Sequence, residues 1–172
     1  MYDIYSNDRD DHWRYVLGES GKGKLFVVGL NPSTATKEKS DNTVTKAREV
    51  AKRSGYNGFV MLNLYPVRAT DYSTLPDKPD PEAVAANLNA IESIVSMEPS
   101  PTIWAAWGQS VLEKPFFISG AKLLIERLRK YEPKWLHFGD LTRDGHPRHP
   151  RQLSYDWAFA EFKVEDYLNK LG

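Results

Sequence analysis

Short, continuously apolar runs alternate along the chain with longer segments in which apolar residues recur at every third or fourth position. Four runs of the first kind, each bounded by glycine or polar residues, predict β-strands at residues 24–29, 58–64, 101–107 and 134–138. Apolar residues on both faces are typical of parallel strands that are covered on two sides. We therefore expect a central, mainly parallel four-stranded sheet.

Helix signals lie between and after these runs. Asp41 is a candidate N-cap for a helix that runs to about Ser54. Asp80 is a second candidate cap, and Pro81 follows it at the first helical position, where proline is well tolerated. Two further helices are predicted, over about residues 119–131 and 156–171.

This alternation of strands and helices predicts the α/β fold class, with three αβα layers. A length of 172 residues suits one core, and no linker or repeat divides the chain. Residues 1–172 are therefore predicted to form a single domain. The segment from Ala69 to Pro79, rich in Asp, Pro, Ser and Thr, is predicted to be a surface flap.

Composition excludes some classes of protein and leaves others open. Lys plus Arg equals Asp plus Glu at 23 each, so net charge gives no support to nucleic-acid binding, although a local basic patch remains compatible with it. No apolar stretch approaches the roughly 18 to 20 residues that span a bilayer, so no membrane contact is expected. The polar N-terminus and the absence of cysteine fit a cytoplasmic protein. The oligomeric state is not indicated.

The first candidate for chemistry is the loop from Gly29 to Thr34, directly after a predicted strand. Open α/β sheets place their ligand sites at the carboxyl ends of strands. Asn31, held by Pro32, is able to orient a water or to bind the edge of a base. Ser33 and Thr34 offer hydroxyl and N–H groups to a phosphate. A tight turn with local caps explains the same residues without function.

The end of the second predicted strand carries further polar residues. Asn63 closes an apolar run, so its amide needs partners if it is buried, and a base edge or a neighbouring loop supplies them equally well. Tyr65 is a candidate for stacking on a base, or simply packs in the core. Arg68 is a candidate phosphate ligand, or solvates the flap.

The last candidate is the basic loop at residues 143–151. A histidine there is able to donate to negative charge on a departing base or a phosphate, and Arg148 and Arg151 are candidate phosphate or DNA contacts. The alternative is a plain basic surface turn. Three nearby arginines disfavour a metal, so no metal and no cofactor are predicted.

The order of these motifs resembles the uracil-DNA glycosylase superfamily. They are GLNPST, FVMLNLYPVRAT, IWAAWGQSVLEK and GHPRHPRQLS, spread over residues 24–154. The chain resembles more closely an uncharacterised bacterial and phage family that carries the pattern GLNPSTA, NLYPVRAT and GHPRHP. The first resemblance implies a uracil-DNA glycosylase-like fold and base flipping.

The resemblance also implies roles for single residues. Asn31 falls where a residue positions the attacking water, Asn63 where an asparagine reads the flipped base, and His149 where a histidine stabilises the departing base. Leu153 falls where an apolar wedge fills the gap left in the duplex. Ser33 stands where uracil-specific members carry a bulky tyrosine. The smaller serine leaves room for a modified base.

Three functions follow as hypotheses. The leading one is a glycosylase-like enzyme that engages a nucleobase and hydrolyses the N-glycosidic bond of a modified base in DNA or in a nucleotide. The second is a non-catalytic nucleic-acid or nucleotide-binding protein on the same fold. The third is a hydrolase or transferase that acts on a small phosphorylated metabolite at the same loops.

Overall fold

A computed structural model describes all 172 residues of the protein. Its secondary structure consists of seven strands, four α-helices and short 3-10 turns. The strands are β1 (Ile4–Asp8), β2 (Trp13–Glu19), β3 (Lys24–Gly29), β4 (Gly58–Asn63), β5 (Thr102–Ala105), β6 (Lys134–Phe138) and β7 (Phe159–Glu161). The helices are α1 (Asn42–Arg53), α2 (Pro81–Val95), α3 (Pro115–Leu128) and α4 (Val164–Leu171).

All strands belong to one mixed sheet in the order β1-β2-β4-β3-β5-β6-β7. The neighbours β4, β3, β5 and β6 pair in parallel, and β2 and β7 pair antiparallel with the outer members of that group. The α/β class is thus confirmed, but the sheet has seven strands where the sequence predicted four.

The sheet has a hydrophobic core on each face, because successive side chains of a strand point to opposite sides. In β3, Phe26 and Val28 belong to a core of 28 buried residues that also contains side chains of α2, α3 and α4. Leu25 and Val27 belong to a second core of 14 buried residues, which α1 covers. Packing on both faces therefore fixes the positions of the central strands and of the loops that follow them.

The two predicted caps are confirmed. The Asp41 carboxylate accepts a hydrogen bond from the backbone N–H of Val44 in α1. The Asp80 carboxylate accepts from the first turn of α2, which begins with Pro81 as expected. The third helix begins at Pro115, four residues earlier than predicted, because this proline also occupies a first helical turn.

The polar N-terminal segment, to which the sequence analysis assigned no element, is structured. Residues 4–19 form the hairpin of β1 and β2, which adds to the edge of β4. Its turn uses three successive residues with positive φ, Arg9, Asp10 and Asp11, a conformation that aspartate tolerates better than most residues. No glycine marks this turn, so the usual sequence signal of a hairpin is absent.

The predicted helix over residues 156–171 was wrong in its first half. Phe159–Glu161 form β7, which pairs antiparallel with β6, and α4 begins only at Val164. Pairing with β6 supplies the backbone hydrogen bonds, and Phe162 is buried among Trp107 and Tyr167. None of the four helices combines the length and the apolar character that crossing a bilayer requires.

Candidate functional site

A cavity of about 600 Å³ opens at the carboxyl ends of the parallel strands. Such a volume suits a ligand of nucleotide size. The loop after β3 contributes Asn31 and Ser33 to its wall, and the basic loop after β6 contributes Arg148 and His149. The structure thus brings together two loops that lie more than a hundred residues apart in the sequence.

Asn31 is fixed by its own side-chain amide. Its Nδ2 donates to the carbonyl oxygens of Pro32, at 3.1 Å, and Ala69, at 3.0 Å, with Val67 at 3.4 Å. Because three acceptors surround Nδ2, the orientation of the amide is determined. Oδ1 has no partner in the protein, so Asn31 offers the cavity one immobile acceptor.

Asn63, the last residue of β4, lies in the cavity wall and is 2% exposed. Its side-chain amide makes no hydrogen bond within the protein, and Nδ2 is fully buried without a partner. The backbone at this point is well held, because Asn87 donates to the carbonyl oxygen of Asn63 at 2.9 Å. A buried amide without partners is rare in folded proteins and calls for an explanation.

His149 reaches the cavity as a neutral imidazole. Its Nδ1 accepts a hydrogen bond from the backbone N–H of Arg151 at 3.0 Å, so the ring proton resides on Nε2. Burial, with the nearby charge of Arg151 in support, lowers the pKa of His149 to about 4. At neutral pH this residue is therefore a fixed hydrogen-bond donor through Nε2.

The loop after β5 sets the position of His149. Gly108 has φ +75°, and a Cβ at this residue would lie 3.0 Å from the Cβ of His149. Glycine is needed here both for the backbone conformation and for the close approach. Gln109 adds a second link between these loops by donating to Asp144 at 3.2 Å.

A buried chain of side chains anchors the basic loop to the core. The Trp107 indole donates to the Tyr167 hydroxyl at 3.0 Å, and this hydroxyl donates in turn to Nδ1 of His146 at 2.9 Å. Burial raises the pKa of Tyr167 to about 12, which keeps the hydroxyl protonated. His146 is therefore a structural residue, whereas His149 faces the cavity.

Arg14 is a cavity residue that the sequence analysis did not identify. It is 2% exposed, and the only hydrogen bond of its guanidinium runs from Nη1 to the carbonyl oxygen of Ala35 at 3.2 Å. Burial lowers its pKa to about 10, so it stays cationic at neutral pH. The available signal was an arginine within the apolar run of β2.

The cavity wall is electropositive although the whole chain is neutral. Its lining contains one carboxylate, Asp41, against three arginines, Arg14, Arg148 and Arg151. Arg148 is held by a hydrogen bond from Nε to the carbonyl oxygen of Asp140 at 2.7 Å and lies over the ring of Trp157. Such a wall favours a ligand that carries negative charge.

The remaining wall combines hydroxyls with aromatic rings. Ser33 and Thr70 contact each other through their hydroxyls at 3.2 Å, and Thr34 is exposed beside them. Thr70 and Tyr72 belong to the segment predicted as a flap, which forms one side of the cavity. Tyr72 and Trp157 supply the aromatic surface, whereas the Trp107 ring, which borders the cavity from the core, is fully buried.

Tyr65 and Arg68 lie outside this cavity. The Tyr65 ring is buried against Phe116, and its hydroxyl accepts from the backbone N–H of Asp80. The Arg68 guanidinium donates to Asp11, Tyr5 and the carbonyl oxygens of Ser33 and Ala35, so it shapes the first loop from behind.

Leu153, which the resemblance places where an apolar wedge is found, is partly buried. It packs against the smaller core beside Trp157 and Phe159 and does not line the cavity.

Comparison with known proteins identifies a family but no activity. No curated protein and no solved structure matches the chain. The model of a family described as "Protein of unknown function (DUF1643)" matches residues 14–151, from Arg14 in β2 to Arg151 beside His149. This match confirms the expectation of an uncharacterised family, while the remote resemblance to uracil-DNA glycosylases stays a prediction. The chain therefore belongs to the DUF1643 family.

Proposed function

We propose that this protein binds a nucleobase in the cavity and hydrolyses the N-glycosidic bond between that base and its sugar, in DNA or in a nucleotide. The observation that carries the proposal is the presence of three complementary groups in one cavity: the free acceptor of Asn31, the unpaired amide of Asn63 and the neutral donor of His149. The superfamily resemblance, with the fold that it implies, assigns related roles to the same three residues.

The Asn63 amide suits the edge of a base, which presents donors and acceptors side by side. Leaving such an amide buried and unpaired costs about 1–3 kcal/mol in the empty protein. A base that pairs with it removes this cost, whereas a base with the opposite pattern of donors and acceptors does not. The aromatic rings of the wall add surface for stacking.

The proposed reaction uses a water molecule at Asn31. Oδ1 accepts a hydrogen bond from this water and aims its oxygen at C1′ of the sugar. The oxygen forms a bond to C1′ while the C1′–N bond breaks, and the electron pair leaves with the base. The water releases one proton to solvent and the base takes one up, so the products are the free base and the sugar hydroxyl.

His149 lowers the barrier by stabilising the leaving group. The base becomes negative in the transition state, and the Nε2–H donor of a neutral imidazole is already in place to meet that charge. A fixed donor of this kind is worth about 3 kcal/mol, or roughly two orders of magnitude in rate. An amide at position 31 cannot take a proton, so we expect slow turnover.

The amide of Asn31, which cannot act as a general base, favours a second candidate function. A protein that binds a nucleotide without cleaving it needs Asn63 and the cavity but has no use for a general base. Asn31 then serves only to fix the loop between Pro32 and Ala69. The two functions differ in whether free base is produced.

Release of free base, measured by mass spectrometry, tests the proposal. The substrates are oligonucleotides that contain uracil, hypoxanthine or a bulky modified pyrimidine, and the matching mononucleotides. We expect one of them to release base at a rate that falls about a hundredfold in His149→Ala and is unchanged in His12→Gln, a control at an exposed histidine.

Binding of any member of the panel without release of its base would establish the second candidate. Neither binding nor release of any member of the panel would overturn both functions.

A further inference from the structure

Arg14 has no part in the reaction proposed above, yet it lies in the same cavity. No carboxylate lies within 4 Å of its guanidinium, whereas Arg68, close by, is paired with Asp11 at 3.1 Å. Nε is fully buried without a partner, and Nη2 makes no hydrogen bond. Burying an unpaired cation is costly, so a site that keeps one is expected to meet an anion.

The ionisable groups around Arg14 do not neutralise it. The positive charge of Arg68 repels that of Arg14 and lowers the pKa of Arg14. Both side chains donate to the carbonyl oxygen of Ala35. Asp41 is the one acidic residue of the cavity wall, but its carboxylate accepts hydrogen bonds from the N–H groups of Ala35 and Val44. Nη2 of Arg14, which makes no hydrogen bond, is left for a ligand, and a phosphate oxygen suits it as a charged acceptor.

The first turn of α1 lies in the wall of the same cavity. Asn42 and Thr43 line it, and their backbone N–H groups have no partner in the protein. Such N–H groups, together with the positive end of a 12-residue helix, favour an anion. The buried guanidinium and the start of α1 therefore line one cavity, and each offers hydrogen-bond donors to an anion.

We propose that Arg14 and the first turn of α1 form a phosphate subsite, and that the ligand of the cavity is a nucleoside monophosphate. This inference rests on the proposed function for the base half of the ligand, and it names the substrate class. The base meets Asn63 and His149, and the phosphate monoester meets Arg14.

The burial of Arg14 favours a monoester over the backbone of DNA. A side chain that is 2% exposed is reached only by a group that enters the cavity, and a terminal phosphate enters together with its nucleoside. Phosphates along a polynucleotide are best met by exposed basic residues, and the neutral chain provides no general attraction for a polyanion. The cavity volume of about 600 Å³ also suits one nucleotide.

Calorimetric titration with deoxyuridine, its 5′-monophosphate and a single-stranded oligonucleotide that contains uracil tests the subsite. In the wild type we expect the monophosphate to bind at least about tenfold more tightly than the nucleoside, a gain typical of one charge-assisted contact. In Arg14→Met this gain disappears while the affinity for deoxyuridine is unchanged. In the control Arg53→Met, which removes an exposed arginine of α1, the gain remains.

A second variant decides the question if Arg14→Met does not fold. Asn42→Pro removes one N–H of the subsite and recreates the Asp-Pro start that α2 already uses, so it should fold normally. We expect it to weaken binding of the monophosphate about threefold and to leave deoxyuridine unaffected. Equal binding of the monophosphate in Asn42→Pro and the wild type would contradict the inference.

The outcomes separate this inference from the proposed function. If deoxyuridine binds and the monophosphate gains nothing, the subsite is wrong and the base site stands. If no nucleoside binds but inorganic phosphate raises the melting temperature of the wild type and not of Arg14→Met, the subsite stands and the base site falls. If the oligonucleotide gains as much from Arg14 as the monophosphate does, the assignment to a monoester is overturned.

Discussion

Because the amide of Asn63 is buried and unpaired, we predict that replacing it raises the stability of the protein, whereas most core substitutions lower stability. Asn63 is 2% exposed and its Nδ2 has no partner. Asn63→Leu replaces the amide with an apolar side chain of similar shape. We expect this variant to be more stable than the wild type and unable to bind a nucleobase.

The magnitude follows from the cost of burying the amide. A buried polar group without partners costs about 1–3 kcal/mol, and leucine does not incur that cost. Imperfect packing of the branched side chain is expected to take back up to about 1 kcal/mol. The free energy of unfolding should therefore rise by about 1–2 kcal/mol, which corresponds to an increase of about 2–8 °C in Tm for a chain of this length.

Asn87 provides a matched control. It is also 2% exposed and also has one unpaired atom, Oδ1, but its Nδ2 donates to the carbonyl oxygen of Asn63 at 2.9 Å. Asn87→Leu removes an unpaired atom as Asn63→Leu does, and in addition it breaks this hydrogen bond. We expect Asn87→Leu to be less stable than Asn63→Leu by about 1 kcal/mol.

Urea denaturation followed by circular dichroism measures both variants, with equal m-values as the condition for comparing them. Titration with the nucleotide panel then measures binding. If Asn63→Leu is no more stable than Asn87→Leu, the amide of Asn63 is satisfied in the empty protein and its assignment to a ligand fails. Unchanged binding in Asn63→Leu would refute the base-reading role directly.

Three further predictions concern the loops around the cavity. Gly108→Ala should lose about 1–3 kcal/mol of stability and most base release, because the added Cβ meets His149. Gly23→Ala, also at positive φ but with open space around it, should lose stability alone. Equal base release in the two variants would contradict the contact. The pKa of His149 is about 4 in the folded chain and 6.5 in the unfolded one, so the unfolded chain binds more protons between these pH values. The free energy of unfolding should therefore fall as pH is lowered from 6.5 to 4. An equally steep fall in His149→Gln would contradict this assignment. Arg68→Met should lower the free energy of unfolding, measured by urea denaturation, by about 2–3 kcal/mol, because Arg68 donates to two carbonyl oxygens of the first loop. Arg151→Met, at an exposed position, should lower it by less than about 0.5 kcal/mol. Similar losses in the two variants would show that Arg68 does not hold the first loop.

The buried parallel strands and the capped helices were predictable because local chemistry determines them. The apolar runs at 24–29 and 134–138 match β3 and β6, since strands buried on both faces are apolar throughout. Asp41 and Asp80 mark helix starts through hydrogen bonds that depend on only three or four neighbouring residues.

The edge strands were not predictable in the same way. β1 and β7 are stabilised by backbone pairing with neighbouring strands, and none of their own side chains is fully buried. The apolar spacing at residues 156–171 fits a helix equally well, and only the pairing of β7 with β6 decides against it. Tertiary contacts outweigh local periodicity in such segments.

The candidate site shows the same division. Asn31 and Asn63 are visible in the sequence as polar residues at the ends of strands, and His149 as part of the basic loop after the last predicted strand, where ligand sites are expected. Tyr65 and Arg68 come from the same segment but turn into the core and behind the first loop. Arg14 was missed because an arginine in a strand is ordinarily exposed, and its burial depends on the packing of the whole sheet.

A nuclear magnetic resonance titration tests most directly whether the two loops form one nucleobase site. The ¹⁵N-labelled protein is titrated with the 5′-monophosphates of deoxyuridine and deoxyinosine, and the side-chain amide of Asn63 is assigned by its absence in Asn63→Leu. We expect the amide of Asn63 and the ring of His149 to shift together, with a single Kd, for at least one of the two nucleotides. Binding that shifts neither side chain, or a response of Asn63 that leaves His149 unchanged, would contradict a shared site.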